Sequence, residues 1–272
     1  MEIVLQGYGI YNIPNWKGQV EVGELNFFQA KRIADSKDQL SLFRKFIKIM
    51  KSQDSPVKLP EGLAPEDLDL WDFTQLLLGI TFTSKGKSQQ RTLTCPKCKK
   101  PQPRVIDLLK VFVPRAPKKA GGIDSVKVLV GKKEIQVACR NIRVKDFIEV
   151  KQKAEELSIL IDKGPAGILN FERVQEVYPF YKFNDIEDLD DFYEILEDFG
   201  LVIQCIDLAD MDFNKRLEWA GALKGTQSGI YAKIANAVYA LSPGLDVDYK
   251  TTCTICKHEI QAELSPLDFF FG

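Results

Sequence analysis

The stretches LTCPKCKK at residues 93–100 and TTCTICKHE at residues 251–259 carry the strongest structural signal in the sequence, because each contains two cysteines separated by two residues. Cys-x-x-Cys on a tight turn supplies two sulfur ligands from one chain reversal, and four thiolates suit zinc, which binds them in a tetrahedron at about 2.3 Å. Sequence of period two flanks the first pair, as RTLTC before it and PQPRVIDLL after it, and resumes around the second. The pattern predicts two hairpins whose tips carry the cysteines.

The two cysteine pairs are far apart in sequence, with Cys98 and Cys253 separated by 155 positions. Compact zinc fingers have spacings of about 12–20. Because loop-closure entropy grows only logarithmically with length, a folded insertion can still separate the two halves of one site. We therefore predict one structural zinc ion held by Cys95, Cys98, Cys253 and Cys256. The alternatives are two sites that each recruit ligands in trans, and reduced or redox-active thiols.

A redox or catalytic role fits the cysteine pairs less well than a structural one. A thioredoxin-type pair lies at the start of a helix that follows a strand, whereas both pairs here are predicted at hairpin tips. Catalytic zinc keeps an open position for water, and four thiolates close the site. His258 is the only histidine, and it either replaces one cysteine ligand or lies exposed.

The rest of the sequence carries no nucleotide-binding, zinc-protease or serine-hydrolase motif. The acidic run NDIEDLDD at residues 184–191 is typical of the exposed first turn of a helix. Cys139 and Cys205 lie inside apolar runs, where a single thiol is usually a small core residue. We expect no catalytic residues, no cofactor-binding residues besides the zinc ligands, and no enzyme activity.

The order of helical and strand-like segments predicts an α+β fold. It has a small antiparallel hairpin region with the four-cysteine zinc site, a mainly α-helical insertion and N-terminal helices. We divide the chain into an N-terminal extended segment with helices (1–90), hairpins with the first cysteine pair (91–142), a helical region (143–242) and a C-terminal hairpin with the second pair (243–272). The last segment is expected to pack with 91–142.

Two N-terminal helices have specific signals. SKDQLSLFRKFIKIM begins with a capping-box pattern of Ser36 and Gln39. Its helical periodicity predicts a buried face of Phe43, Phe46, Ile47 and Met50. In EDLDLWDFTQLLLGI the same periodicity predicts a buried stripe of Leu70, Phe73, Leu77 and Ile80.

The composition is that of a folded protein in a reducing compartment. The 272 residues are 45% hydrophobic and 28% charged, and 37 Lys and Arg against 38 Asp and Glu give a net charge of -1. We expect neither a signal peptide nor a membrane span, and we expect a cytoplasmic location.

Nucleic-acid binding through bulk charge needs a basic excess, which a net charge of -1 does not provide. A zinc-ribbon nucleic-acid-binding or transcription-associated protein, with Lys97, Lys99, Lys100 and Arg104 on phosphates, is therefore the alternative function.

Three stretches together resemble the baseplate hub proteins of T-even-type contractile-tailed phages. They are LWDFTQLLLGITFTSKGKSQQRTLTCP at 70–96, VKVLVGKKEIQVACRNIRVKDFIE at 126–149, and LSPGLDVDYKTTCTICKHEIQAELSPLDFFFG at 241–272. The shared features are a helix and strand that run into Cys95-Pro96, a strand pair that leads to a helix up to Phe147, and a terminus with Pro243, Leu264, Leu267, Phe269 and Phe270. The full set of four cysteines goes beyond what many relatives keep, so zinc is expected to stabilise this chain rather than to serve the shared function.

The resemblance implies a structural subunit, or an assembly factor, of the hub at the tip of the phage tail. Its expected partners are other baseplate and tail proteins, with no small-molecule substrate and no nucleic acid. Its expected location is the virion baseplate, or the host cytoplasm during assembly. The terminal DFFFG at 268–272 is then expected either in the protein's own core or in a neighbouring subunit.

Overall fold

The computed structural model of the chain describes most of the 272 residues. The described ranges are 1–5, 11, 13, 17–115, 118, 123–130, 132–162, 171–183, 188, 191–193, 195–206, 211–226, 228–241, 244–246 and 248–264. The expectation for the terminal DFFFG lies outside these residues.

The chain forms two compact units. Unit 1 comprises Met1–Pro117 and Pro243–Gly272, and unit 2 comprises Lys118–Ser242. Unit 1 contains helices α1 (Phe27–Ala34), α2 (Gln39–Met50), α3 (Leu70–Lys85) and the short α4 (Leu108–Val111), with a 3-10 turn at Pro65–Asp67. Its strands are β1 (Glu2–Val4), β2 (Gln19–Glu21), β3 (Ser88–Thr94), β4 (Pro101–Asp107), β5 (Val113–Arg115), β8 (Gly244–Asp246), β9 (Asp248–Thr252) and β10 (Glu259–Glu263).

Helix α2 buries the predicted face but is capped by a different residue. Phe43, Phe46, Ile47 and Met50 are all buried. The N-cap is Asp38, whose carboxylate accepts a hydrogen bond from the Ser41 N–H at 2.7 Å. The Ser36 capping box is therefore wrong, because the helix begins two residues later than the pattern placed it and an acidic N-cap takes the free amide.

Helix α3 is the central helix of unit 1. Of the predicted buried stripe, Phe73, Leu77 and Ile80 are buried and Leu70 is only half-buried. Residues on the other sides of the helix are buried as well. Ten residues between Asp72 and Phe82 are buried, including Gly79, where an added Cβ would lie 2.2 Å from Ile3 Cδ1. A one-sided stripe was too narrow a prediction because elements on several sides cover this helix.

The strands of unit 1 pair in separate two-stranded antiparallel sheets, and two of these sheets are the cysteine hairpins. β3 pairs with β4 from Ser88↔Asp107 to Thr94↔Pro101, and β9 pairs with β10 from Asp248↔Glu263 to Thr252↔Glu259. β5 pairs with β8, so the strands that flank residues 118–242 in sequence are neighbours. An apolar cluster joins α3 to both cysteine hairpins; its buried members are Leu78, Phe82, Ile106, Leu108, Val111, Phe112 and Leu264.

Unit 2 combines one hairpin with helices. Strands β6 (Ile123–Val130) and β7 (Lys133–Arg140) pair antiparallel, with Val130 opposite Lys133. Helices α5 (Val144–Asp162), α6 (Phe171–Val177), α7 (Gly200–Gln204), α8 (Phe213–Thr226) and α9 (Ser228–Leu241) follow, with a π-helical turn at Ile195–Phe199 before α7.

A partly buried ion pair connects three elements of unit 2. Arg140 at the end of β7 donates two hydrogen bonds to Asp146 in α5, at 2.6 and 2.9 Å. Its guanidinium also donates to the carbonyl of Gln204 in α7 at 2.8 Å. Around Phe192, the aromatic rings of Tyr178, Phe180, Tyr181 and Phe183 lie within 6.2 Å between centroids. The Arg140 contacts hold α5 and α7 against β7, and the aromatic rings pack with one another around Phe192.

The α+β class with short antiparallel hairpins is confirmed. The β6–β7 hairpin belongs to unit 2 together with α5–α9, and the two cysteine hairpins belong to unit 1. The four-segment division of the sequence stays a prediction. In the described part of the chain, no helix has the length and apolar character that crossing a bilayer requires.

Candidate metal centre

The turns that carry the two cysteine pairs have the same backbone hydrogen bonds. In the first, the Cys95 N–H donates to the Lys100 carbonyl at 3.1 Å and the Lys99 N–H donates to the Cys95 carbonyl at 2.9 Å. In the second, the Cys253 N–H donates to the His258 carbonyl at 2.8 Å and the Lys257 N–H donates to the Cys253 carbonyl at 3.1 Å. The two Cys-x-x-Cys segments therefore form the same type of chain reversal, each at the tip of its own hairpin.

The residue after each second cysteine has a left-handed backbone. Lys99 and Lys257 both have φ of 58°. This conformation crowds Cβ against the backbone, which makes glycine the usual residue there. Two lysines in the same uncommon conformation show that the reversal, rather than the local preference of the residue, sets the backbone at both positions.

The two turns meet at their cysteines. Cys95 Sγ lies 3.6 Å from Cys256 Sγ, and Cys98 Sγ lies 3.7 Å from Cys253 Sγ. All four sulfurs lie within 4.8 Å of one another. Cys95 and Cys253 are fully buried, whereas Cys98 and Cys256 are half-buried. The first cysteine of each turn therefore faces the second cysteine of the other.

The geometry of the sulfurs fits a tetrahedral metal ion. A tetrahedron with sulfurs about 2.3 Å from its centre has edges of about 3.8 Å. The separations of 3.6 and 3.7 Å are close to that edge. They are far longer than a disulfide bond of about 2.05 Å. Four soft sulfur donors in this arrangement are the set that zinc prefers in structural sites.

The backbone stabilises thiolates at the first cysteine of each turn. Hydrogen bonds from the N–H groups of Cys256 and Ile255 lower the pKa of Cys253 to about 6. The N–H groups of Cys98 and Lys97 lower the pKa of Cys95 in the same way. At Cys98 the Lys100 N–H lowers the pKa, but burial and the three neighbouring thiols together raise it to about 11. Four thiols this close together cannot all ionise unless a cation offsets the charge of the resulting thiolates.

Side chains of the first hairpin also hold the second. The Gln102 Oε1 accepts hydrogen bonds from the N–H and the hydroxyl of Thr254, at 3.0 and 2.8 Å, and Gln102 is buried. Arg104 donates to the carbonyl of Thr252. The role of Gln102 was not predicted, because alternation along a strand does not show which face is covered when the side chain is polar.

The other predicted residues lie outside this cluster. His258 is exposed, and its backbone carbonyl rather than its ring serves the second turn. Lys97, Lys99 and Lys100 are exposed around the first turn, whereas Arg104 is half-buried. Cys139 and Cys205 are buried in unit 2, which confirms them as core residues. Burial raises the pKa of Cys139 to about 11. Much of the acidic run at 184–191 lies outside the described residues.

Comparison with known proteins identifies one family. The sequence from residue 22 to residue 272 matches the family described as T4 bacteriophage base plate protein, and this range includes both cysteine turns, all of unit 2 and unit 1 from residue 22 onward. Searches of curated proteins and of solved structures each found no match. Because the family match spans far more than half of the sequence, the chain belongs to the T4 bacteriophage base plate protein family.

Proposed function

We propose that this baseplate protein is a structural subunit, or an assembly factor, of the baseplate hub, and that one zinc ion stabilises its unit 1. The observation that carries the baseplate role is the family match over 22–272. The sequence resemblance to hub proteins supports the narrower position in the hub. The absence of catalytic motifs from the sequence agrees with a structural role.

The proposed zinc ligands are Cys95, Cys98, Cys253 and Cys256. When bound, zinc supplies four metal–sulfur bonds and offsets the charge of the thiolates. The protein prepares the site through the N–H groups that each turn directs at its first cysteine. Gln102 and Arg104 hold the two hairpins in register.

The physical purpose of such a site follows from the chain order. Hairpin β9–β10 returns to unit 1 only after the long excursion through residues 118–242. Because the return is a non-local contact, its closure entropy opposes the pairing of the two hairpins. Metal ligation adds binding free energy to the folded form alone, so it stabilises this contact.

Metal analysis of the purified chain tests the zinc proposal. We expect about one equivalent of zinc per chain by elemental mass spectrometry. Cys95→Ser and Cys253→Ser should each abolish the bound zinc, because both pairs contribute to the same ion. Cys139→Ala is the matched control, since this cysteine is buried elsewhere and should leave the zinc content unchanged. Full zinc retention by either ligand variant excludes a shared site.

Deletion of the gene from the phage tests the hub proposal. We expect infected cells to accumulate tail parts without complete baseplates, and a copy of the gene supplied in trans to restore them. Electron microscopy of purified baseplates with a labelled chain then separates a subunit, which appears at the centre of mature particles, from an assembly factor, which is absent from them. Normal baseplates in the deletion strain contradict both roles.

A further inference from the structure

Helix α1 has an inverted distribution of polar and apolar side chains. Phe27 and Phe28 in its first turn are 76% and 74% exposed, whereas Gln29 beside them is 5% exposed. A surface helix normally buries its aromatic residues and exposes its amides. Positions that contradict the local rule in this way are typical of functional surfaces.

The exposed phenylalanines belong to a firmly held helix start. Asn26 and Gln29 form a capping box, with hydrogen bonds of 2.9 and 3.0 Å between each side chain and the other residue's N–H. Gln29 also donates to the Asp54 carbonyl at 3.0 Å, and Asn26 donates to the Asp54 carboxylate at 2.7 Å. The Leu25 N–H donates to Ser84 Oγ at 2.9 Å. The buried amide therefore anchors α1 within unit 1 and leaves the two rings directed outward.

The two rings form one aromatic surface. Their centroids are 5.7 Å apart in an edge-to-face arrangement. Large rigid aromatic side chains that are displayed before binding lose little conformational entropy when a partner covers them, which is why such residues dominate interface energetics. The pair thus has the properties of an interface anchor rather than of scattered surface apolar residues.

The charges beside the rings define the partner. Lys31 and Arg32 follow one turn later at i+4 from Phe27 and Phe28, and both are exposed. Helix α1 itself contains no acidic residue, and Arg32 interacts with the carboxylate of Asp54, which also accepts a hydrogen bond from Asn26. We propose that Phe27 and Phe28 insert into an apolar groove of a neighbouring tail or baseplate subunit whose rim carries Asp or Glu side chains opposite Lys31 and Arg32. The identity of the neighbour as a tail protein rests on the proposed function.

Site-specific photocrosslinking tests this interface in the full chain. Benzoylphenylalanine replaces Phe28, the labelled chain is produced during infection, and the cells are irradiated while tails assemble. Val105, which is 71% exposed in the same unit, is the matched control position for the same probe. We expect Phe28 to yield an adduct with a peptide of another tail protein that contains acidic residues next to apolar ones, and the Val105 position not to yield it.

Two variants measure the contribution of each part of the surface. F27S/F28S should weaken recruitment of the chain into tail intermediates about thirtyfold, as expected for loss of an anchor worth one hot spot. K31E/R32E should also weaken recruitment, and the loss should diminish as ionic strength rises because salt screens the repulsion. F27S/F28S should unfold at the wild-type temperature, because the altered side chains are exposed. K31E/R32E should unfold at a slightly lower temperature, because it removes basic charge from the last turn of α1 and from the neighbourhood of Asp54. Val105→Ser should change neither property.

The outcomes separate this interface from the proposed function. An adduct with a second copy of this chain, with lipid, or with host proteins alone overturns the interface. The interface is also overturned if the chain sediments with tail intermediates but Phe28 gives no adduct above the Val105 control. Failure of the proposed function is a different result, namely that the chain never sediments with tail proteins and that its deletion leaves baseplates complete.

Discussion

The two cysteine hairpins of unit 1 have the same turn but different inner faces. Position 102 and position 260 each lie seven residues after the first cysteine of their turn, and both are buried. The first hairpin places Gln102 there and directs it to Thr254 of the second hairpin. The second hairpin places Ile260 there, which packs with Cys95 and Cys253.

This difference shows how two similar hairpins form one asymmetric site. The Cys-x-x-Cys turns position the sulfurs, whereas the inner faces determine how the two hairpins pack against each other. At this equivalent position, the first hairpin contributes a hydrogen-bond acceptor and the second contributes apolar volume. The polar face sets the register, because hydrogen bonds require specific partners and apolar contacts do not.

The largest expected effect tests whether the two turns are equivalent. If unit 1 binds the proposed zinc ion, Cys95→Ser and Cys253→Ser should each lower its free energy of unfolding by about 4 kcal/mol or more, since loss of a metal is among the strongest single-site effects. The double variant should be no less stable than either single one, because one change already removes the ion. Hydrogen exchange of amides in β3, β4, β9 and β10 provides the measurement. If the stability losses of the two single variants add in the double variant, the two turns do not share one ion, because each turn would then stabilise unit 1 independently.

The apolar face of the second hairpin has the next largest effect. Ile260→Ala should destabilise unit 1 by about 2–4 kcal/mol, because it removes buried methyl groups beside Cys95 and Cys253 and leaves a cavity. Ile255→Ala is the matched control, since Ile255 is 62% exposed at the tip of the same hairpin. It should change the stability by less than about 0.5 kcal/mol. Urea denaturation that shows equal losses for the two variants contradicts the assignment of Ile260 to the inner face.

The polar face of the first hairpin should contribute less. Gln102→Ala should destabilise unit 1 by about 1–3 kcal/mol, because the N–H and hydroxyl of Thr254 lose their acceptor. Exposed Gln261 in β10 offers the matched control, and Gln261→Ala should be nearly neutral. A double-mutant cycle with Thr254→Val measures the coupling through the hydroxyl, and a coupling energy near zero excludes the hydroxyl hydrogen bond as a contribution to the register.

The smallest expected effect concerns the left-handed residues of the turns. Lys99→Gly and Lys257→Gly should each stabilise unit 1 by about 0.5 kcal/mol, because relief of the left-handed strain, about 1–2 kcal/mol, exceeds the additional conformational entropy that glycine loses on folding, about 0.5–1 kcal/mol. Lys100→Gly, next to Lys99 but without a positive φ, should instead destabilise slightly. Thermal unfolding with matched zinc content measures all three. Opposite signs for Lys99→Gly and Lys257→Gly would show that the two turns differ in more than their inner faces.

Sequence reasoning succeeded where the signal is local. The spacing of Cys95 and Cys98 predicted the hairpin tip, and the periodicity of α2 predicted its buried face. It was less successful where several neighbours act together. Helix α3 is buried on more sides than its stripe indicated, and the N-cap of α2 is Asp38 rather than Ser36. Nothing in the sequence predicted that Phe27 and Phe28 are exposed, because aromatic residues at a helix start usually predict a core contact.

By itself, the sequence determined that two cysteine turns exist, because Cys-x-x-Cys between strand-like segments specifies a tight reversal within a few residues. It also determined membership of the baseplate family, since that match depends on residue order alone. Only the tertiary structure decided that Cys95 faces Cys256 and that Cys98 faces Cys253. Those contacts join residues more than 150 positions apart, and their pairing depends on the packing of Gln102, Ile260 and the apolar cluster under both hairpins. Spacing in sequence carries no information about such packing, because it arises from many weak contacts that form together.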